Sequence, residues 1–281
     1  MTNEIAKPSA LRVAALRAVH QLTDSPLVYP DPLALKILGP DSEASLRAGL
    51  AQYDTGRFRS LRTSLVVRSR LAADQWEAAR RRGVRQCVIL GAGLDTFAYR
   101  PQDSGVRLFE VDLPAMQRWK RGLLRAAGIA EPPALAFVPL DFETDTLAAA
   151  LARAGFRPDE PAFFTWLGVT MYLAADAILG QLRSIAALAP GSAVVFDYAV
   201  APERLSPPER AALEALAGRT AGHGEEWKTF FDPAAIAAAL RTLGFSRVED
   251  LGAAELNARY LAERADGLCK SGLTRIICAQ V

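Results

Sequence analysis

The chemistry that the sequence suggests begins at a glycine turn and an acid on the strand that follows it. The apolar run Cys87–Leu90 stops at Gly91 and Gly93, and Glu110 lies nineteen residues after Gly91 on a second apolar segment. Glycines at a strand end let the backbone approach a ligand, and an acid on the next strand accepts hydrogen bonds from ribose hydroxyls. The spacing predicts a site for a ligand with an adenosine part.

The residues after the turn favour one such ligand over another. A dinucleotide site needs a third small residue beneath the pyrophosphate, but that position holds Thr96, after Leu94 and Asp95. The charge of Asp95 would repel a pyrophosphate and would tolerate a cationic sulfonium. A phosphate loop of the GxxxxGK[ST] type is absent from the sequence. S-adenosylmethionine (SAM) is therefore favoured over NAD.

Composition excludes several other classes. The net charge of +2 on 281 residues indicates no nucleic-acid partner, and no apolar run reaches about 18 residues, so no membrane span is expected. Cys87, Cys269 and Cys278 have no metal-ligand spacing, which predicts neither a disulfide framework nor a metal site. Because the N-terminus lacks an apolar signal core, we expect a cytoplasmic protein.

The elements that must position these residues alternate along the chain. The first 80 or so residues read as helical. The predicted strands are Gln86–Leu90, Arg107–Val111, Leu135–Pro139, Ala162–Trp166, Ala193–Tyr198, Ser246–Leu251 and Leu273–Val281. The predicted helices between them are Leu113–Gly128, Thr144–Ala154, Ala175–Ala189 and Pro233–Leu243. This order predicts an α/β, Rossmann-like fold with a mostly parallel seven-stranded sheet, whose last strand is antiparallel.

Two segments are predicted to cover the ligand site. Residues 1–82 are expected to form a helical N-terminal lid, and residues 83–281 the SAM-binding domain. Within that domain, residues 199–232 form a long insertion, with a short helix at Glu209–Leu216 and a glycine-rich stretch at Gly218–Gly224. Long excursions that leave a strand at its carboxyl end are commonly lids or binding loops.

Several motifs together carry a family resemblance over nearly the whole chain. They are ALRAVHQLTDSPLVYPDPLA, the Arg68-Ser69-Arg70 helix, QCVILGAGLDTFAYR, FEVDLP, LDFETD, WLGVTMYL and GEEWKTFFDP. The chain resembles the leucine carboxyl methyltransferase-like family of class I SAM-dependent methyltransferases, including its bacterial polyketide and natural-product O-methyltransferase branch. The resemblance implies SAM as cofactor, S-adenosylhomocysteine as product and no metal.

The resemblance also implies roles for individual positions. The expected cofactor-binding residues are Arg17, Arg68, Gly91, Gly93, Glu110, Asp141, Phe142 and Leu167. Arg68 would pair with the SAM carboxylate, since a guanidinium fork matches a carboxylate. Asp141 would accept from the adenine amino group. The family often has a glutamate where Leu167 stands, so one contact to the SAM amino group is lost unless another residue compensates.

The acceptor side of the site is less defined. A carboxylate substrate is ionised at neutral pH and needs no general base, whereas a phenol would benefit from one. The candidate catalytic residues are His20, His223 and Tyr172, and the expected substrate pocket comprises His20, Tyr29, Tyr172, His223 and Trp227.

These observations predict a SAM-dependent O-methyltransferase, monomeric or homodimeric, acting on a carboxylate or phenol of a small, polyketide-like natural product. One alternative is a SAM-fold protein recruited for regulation or non-methylating chemistry, which Leu167 motivates. The other is an NAD-dependent dehydrogenase, which Asp95 and Thr96 disfavour.

Overall fold

The apolar runs of the sequence become seven strands of one sheet with helices on both faces. A computed structural model of the chain describes residues 7–281. The strands are β1 (Gln86–Leu90), β2 (Arg107–Asp112), β3 (Leu135–Pro139), β4 (Ala162–Trp166), β5 (Ala193–Ala199), β6 (Arg247–Leu251) and β7 (Thr274–Gln280). The α-helices in this range are α1 (Pro8–Thr23), α2 (Pro40–Ala48), α3 (Gly56–Arg81), α4 (Pro114–Ala126), α5 (Leu147–Arg153), α6 (Ala175–Ala186), α7 (Pro207–Ala221), α8 (Pro233–Leu243) and α9 (Ala253–Tyr260).

The strand order is β3-β2-β1-β4-β5-β7-β6, and β7 runs antiparallel to both of its neighbours. The other adjacent pairs are parallel, so the predicted fold class is confirmed. The chain moves outward from β1 to β3 and then returns to β4 beside β1. In open α/β sheets, the crevice at such a reversal, outside the carboxyl ends of the strands, is where ligands bind.

Each face of the sheet has its own apolar core. On β1, Cys87 and Ile89 pack with α3, whereas Val88 and Leu90 pack with the helices of the opposite face. A strand buried on both faces must be apolar throughout, which explains its uninterrupted sequence. Trp76 of α3 contacts Phe163 of β4, with ring centroids 5.7 Å apart. Each large side chain buried in this way stabilises the fold by about 1.5–3 kcal/mol.

The N-terminal segment has two structural roles. Helix α3 belongs to the core of the sheet, and α1 packs on α3 at the carboxyl edge of the strands. The first six residues of the expected 1–82 lid lie outside the described part of the chain. No helix among residues 7–281 is long and apolar enough to cross a membrane.

The insertion is more helical than the sequence predicts. Helix α7 begins at Pro207 and continues to Ala221, through Gly218, instead of covering only Glu209–Leu216. Ser206 and Glu209 form a capping box at its start, and proline is favoured in the first helical turn. The predicted helix ended before Gly218, but one glycine within a helix costs only about 1 kcal/mol relative to alanine.

Candidate functional site

A large cavity opens at the carboxyl ends of the parallel strands. Its volume is about 710 Å³, which lies within the ~300–1,000 Å³ range of small-molecule sites. Residues at or just beyond the carboxyl ends of β1, β2, β3, β4 and β5 form its floor, and α1, the end of α7 and residues 223–228 cover it. Its position at the chain reversal agrees with the site that the glycine turn predicts.

The glycine turn brings backbone to the cavity wall. Gly91 has φ 64° and Gly93 has φ 44°, a region that other residues rarely adopt. A Cβ on Gly91 would lie 2.3 Å from Val169 Cγ2, so a side chain at that position would have to displace Val169. The backbone N–H of Gly93 donates to Asp112 Oδ2 at 2.7 Å. The turn is therefore tied to the tip of the neighbouring strand.

The acid of β2 that lines the cavity is Asp112, whereas the sequence prediction placed Glu110 there. Glu110 is 1% exposed and lies outside the cavity, where it accepts from Lys120 Nζ at 2.7 Å and from Tyr99 OH at 3.1 Å. Burial raises the pKa of Glu110 despite the Lys120 charge. Strand β2 runs one residue further than predicted, so Asp112 stands at its tip.

A charged pair crosses the middle of the floor. Arg68 Nη1 of α3 donates to Asp197 Oδ2 at 2.8 Å, and the N–H of Gly168 donates to Asp197 Oδ1 at 2.5 Å. Gly168 has φ 73°, and a Cβ there would lie 2.5 Å from Arg68 Nη2. Sequence reasoning found Arg68 but missed Asp197. The available signal was an acid within the otherwise apolar run of β5.

The predicted adenine-side residues also line the cavity. Asp141 Oδ1 accepts from the N–H of Glu143 at 3.0 Å, and the N–H of Asp141 donates to Asp145 Oδ2 at 2.9 Å. Phe142 packs on Trp166, with ring centroids 5.3 Å apart. The structure thus holds Asp141 in a fixed turn above a rigid aromatic base.

Arg17 and Leu167 line the cavity as well. Arg17 Nη2 donates to the carbonyl of Leu94 at 2.8 Å, and its guanidinium pairs with Asp31 at 3.3 Å and Asp95 at 3.7 Å. Burial alone would raise the pKa of Asp95, but the Arg17 charge contributes to holding it below its usual value. Arg17 thereby fastens α1 to the glycine turn.

Two predicted pocket residues do not reach the cavity. His20 is fully buried: its Nδ1 lies 2.6 Å from Asp24 Oδ2, and its Nε2 accepts from the N–H groups of Val28 and Tyr29. The ring thus holds the turn after α1 and does not border the cavity, where the sequence prediction placed it. Tyr29 lies behind the glycine turn under the guanidinium of Arg100, 4.6 Å from the ring centroid. Membership of the predicted lid does not specify which side chains of α1, or of the turn after it, face the cavity.

The other acceptor-side residues do line the cavity. Tyr172 and Trp227 meet edge to face, with ring centroids 6.4 Å apart, and His223 lies exposed at the mouth. Burial raises the pKa of Tyr172, so its hydroxyl stays protonated at neutral pH. Glu225, also missed from the sequence, accepts from the backbone N–H of Ser9 at 2.9 Å and from its Oγ at 2.5 Å. This contact joins α1 to the insertion.

The chemistry of the cavity floor fits SAM. A strand-tip carboxylate suits ribose hydroxyls, and the acid–guanidinium pair matches the two opposite charges of an amino-acid end. Residues 7–281 contain no cluster of three or more histidine, cysteine or acidic side chains placed to hold a metal ion.

Comparison with known proteins agrees with this chemistry. The family model described as leucine carboxyl methyltransferase matches residues 10–186. YktD of Bacillus subtilis, named as a candidate S-adenosyl-L-methionine-dependent methyltransferase, is 33% identical over 66% of this chain and 62% of its own length. FRAAL3718 of Frankia alni is 35% identical over 64% of each chain, and Rv1896c of Mycobacterium tuberculosis is 34% identical over 73% of this chain and 68% of its own; both carry the same description. This chain spans less than two thirds of the length of the first two relatives.

Solved structures share the fold. One titled as a candidate methyltransferase from Thermobifida fusca has a TM-score of 0.55 and 20% identity, covering 91% of this chain and 96% of its own. A DUF574 family protein from Streptomyces avermitilis has a TM-score of 0.53 and 15% identity, covering 95% and 96%. At these identities the likeness extends to the fold alone.

Proposed function

The chain belongs to the leucine carboxyl methyltransferase family, and we propose that it is a SAM-dependent O-methyltransferase for a small organic acid or phenol. The observation that carries this proposal is that two chemically different sets of residues line one cavity. We assign the polar groups of the sheet edge to a cofactor half, and the aromatic side chains of Tyr172 and Trp227 to an acceptor half. The first suits a charged cofactor, and the second suits an apolar acceptor.

The polar half supplies binding groups from separate strands. Asp112 would hold the ribose hydroxyls, Gly91 and Gly93 would let the ligand lie against the backbone, and Asp141 would face the base. Arg68 would pair with a carboxylate. When bound, SAM supplies an electrophilic sulfonium methyl group, and what remains for the protein is positioning and exclusion of water.

The acceptor half favours a carboxylate over a phenol. The raised pKa of Tyr172 makes it a poor base at neutral pH, and His20 is buried away from the cavity. His223, exposed at the mouth, is then the remaining histidine. A carboxylate acceptor carries its charge already and attacks without a base. We therefore propose an apolar, polyketide-like acid as the preferred class, held by Tyr172 and Trp227.

Helix α1 and residues 199–232 form the lid in this proposal. The Ser9–Glu225 contact links the two across the cavity, and Arg17 fixes α1 to the glycine turn. A closed lid removes water from the methyl-transfer path and strengthens the electrostatic contacts inside.

The first test is calorimetric titration of the purified protein with SAM and S-adenosylhomocysteine. Micromolar binding of both is expected. A screen with methyl-labelled SAM against matched pairs of aromatic carboxylic acids and phenols then identifies the acceptor oxygen. Binding without transfer to any acceptor would favour a regulatory role, and absence of binding in this calorimetric test would overturn the proposal.

A further inference from the structure

We propose that Asp197 is the acid that receives the ammonium group of SAM, in place of the glutamate that the family resemblance leads one to expect at position 167. The inference rests on the proposed function and concerns the same site. Its starting point is the Arg68–Asp197 pair on the cavity floor, because a guanidinium beside a carboxylate is complementary to an amino-acid zwitterion.

Strand register places the two positions side by side. Trp166 of β4 is the partner of Phe196 of β5, so the next residues, Leu167 just after β4 and Asp197 within β5, stand at the same level on neighbouring segments. Adjacent strands are about 4.7–4.9 Å apart. An acid on β5 therefore lies one strand spacing from the expected glutamate and borders the same cavity, which both residues line. The negative charge expected after β4 is thus supplied by the neighbouring strand β5.

Asp197 has the capacity for one more partner. Its side chain is 2% exposed, and its two oxygens accept from Arg68 Nη1 and from the N–H of Gly168. A carboxylate offers about four acceptor positions, so an ammonium can be added without breaking either contact. The buried Lys270 Nζ near Asp197 donates to the carbonyls of Ser271 and Thr274, and therefore already has partners of its own.

Arg68 remains available for the carboxylate. One of its terminal nitrogens holds Asp197, and a guanidinium carries five donors in a planar fork. The absence of a side chain at Gly168 lets the guanidinium of Arg68 lie against the backbone, since a Cβ there would approach Nη2 to 2.5 Å. The pair can thus bind both charged ends of the ligand at once, Arg68 the anion and Asp197 the cation.

The test compares three ligands by calorimetry: S-adenosylhomocysteine, its deamino analogue, which keeps the carboxylate, and 5′-methylthioadenosine, which lacks the amino-acid end. Asp197→Asn should weaken S-adenosylhomocysteine binding at least ~10-fold and leave 5′-methylthioadenosine unchanged. The double variant Leu167→Glu with Asp197→Asn should recover most of the loss. Asp159→Asn, on an exposed loop, is the matched control.

The deamino analogue separates direct contact from positioning of Arg68. If Asp197 binds the ammonium, Asp197→Asn should not weaken the binding of the deamino analogue, because that ligand has no ammonium to lose. The comparison of two proteins with two ligands is equivalent to a double-mutant cycle. An equal loss for both ligands would show that Asp197 acts only through Arg68 and would overturn the inference.

The wild-type protein provides a test that needs no variant. It should bind S-adenosylhomocysteine at least ~10-fold more tightly than the deamino analogue, and equal affinities would overturn the inference even if Asp197→Asn fails to fold. Failure of the wild type to bind any of the three ligands would instead overturn the proposed function. The two failures are therefore distinguishable in one experiment.

Discussion

Two acids on one strand illustrate how a single residue decides between structure and binding. Asp112 stands at the tip of β2 and borders the cavity, whereas Glu110, two residues earlier, is buried against Lys120. We expect Asp112→Asn to weaken S-adenosylhomocysteine binding about 10-fold or more, since a charge-assisted hydrogen bond contributes about 1.5–3 kcal/mol. Calorimetry on the folded variant measures this loss.

Glu110→Gln is the counterpart of that variant. It leaves the ammonium of Lys120 buried beside a neutral amide, so we expect the free energy of unfolding to fall by about 2–4 kcal/mol. The affinity of the folded protein for S-adenosylhomocysteine should stay within about twofold. A reversed outcome, with Glu110→Gln losing binding and Asp112→Asn retaining it, would return the ribose role to Glu110.

The backbone at Gly91 is a second residue-scale determinant. Alanine there would have to keep a φ of 64° and would displace Val169, whose Cγ2 lies 2.3 Å from the required Cβ position. We expect Gly91→Ala to lower the free energy of unfolding by about 1–3 kcal/mol and to weaken S-adenosylhomocysteine binding. Urea denaturation and calorimetry measure the two effects. Gly122→Ala in α4, with no atom near its Cβ position, should instead be neutral or stabilising by about 0.5–1 kcal/mol.

At the scale of the elements, buried charges fasten α1 to α3. Asp24 accepts from Nε and Nη2 of Arg62, each at 2.8 Å, and pairs with His20. Burial alone would raise the pKa of Asp24, but these hydrogen bonds outweigh it and lower the pKa from 3.8 to about 2. A carboxylate with a lowered folded-state pKa stabilises the fold above the unfolded pKa and loses that contribution as the pH falls toward the folded pKa.

We therefore expect Asp24→Asn to lower the free energy of unfolding by about 2–4 kcal/mol at pH 7. The difference from wild type should shrink below about pH 4 and nearly vanish at about pH 2. Urea denaturation at pH 7, 5 and 3 measures it. Asp54→Asn, whose side chain is 71% exposed beside Arg59, should change stability by less than about 0.5 kcal/mol. A pH-independent difference would contradict the assignment.

The Ser9–Glu225 contact is the corresponding link between α1 and the insertion. Glu225 satisfies a backbone donor in the first turn of α1, where helices leave such groups without partners. If these elements form a lid, Glu225→Ala should speed S-adenosylhomocysteine dissociation about 10-fold in stopped-flow measurements, and Glu203→Ala in the same insertion should not. Equal dissociation rates in all three proteins would argue against lid closure through this contact.

For the molecule as a whole, the sequence predicted the sheet better than the site. Strands such as β1 are apolar on both faces, and each face packs against helices, so pattern and position coincide. Whether a residue belongs to the site depends also on the direction in which its side chain points. His20 lies on the side of α1 that faces the turn at Val28, and Asp197 borders the cavity because β4 ends at Trp166 while β5 continues beside it. No periodicity encodes either fact, since both arise from packing between distant segments.

Ligand specificity depends on residues from several parts of the molecule, which together favour SAM over NAD. Thr96 is fully buried and donates to Asp31, so the space beneath the turn is filled, and the lowered pKa of Asp95 keeps a negative charge where a pyrophosphate would lie. We expect S-adenosylhomocysteine at 100 times its Kd to stabilise the fold by about 2.7 kcal/mol, which raises the Tm by about 5–10 °C. NADH at the same concentration should leave the Tm within about 1 °C, because the carboxylate of Asp95 repels a pyrophosphate and the turn has no phosphate-binding loop. Thermal unfolding followed by circular dichroism measures both shifts, and a larger shift with NADH would restore the dehydrogenase alternative.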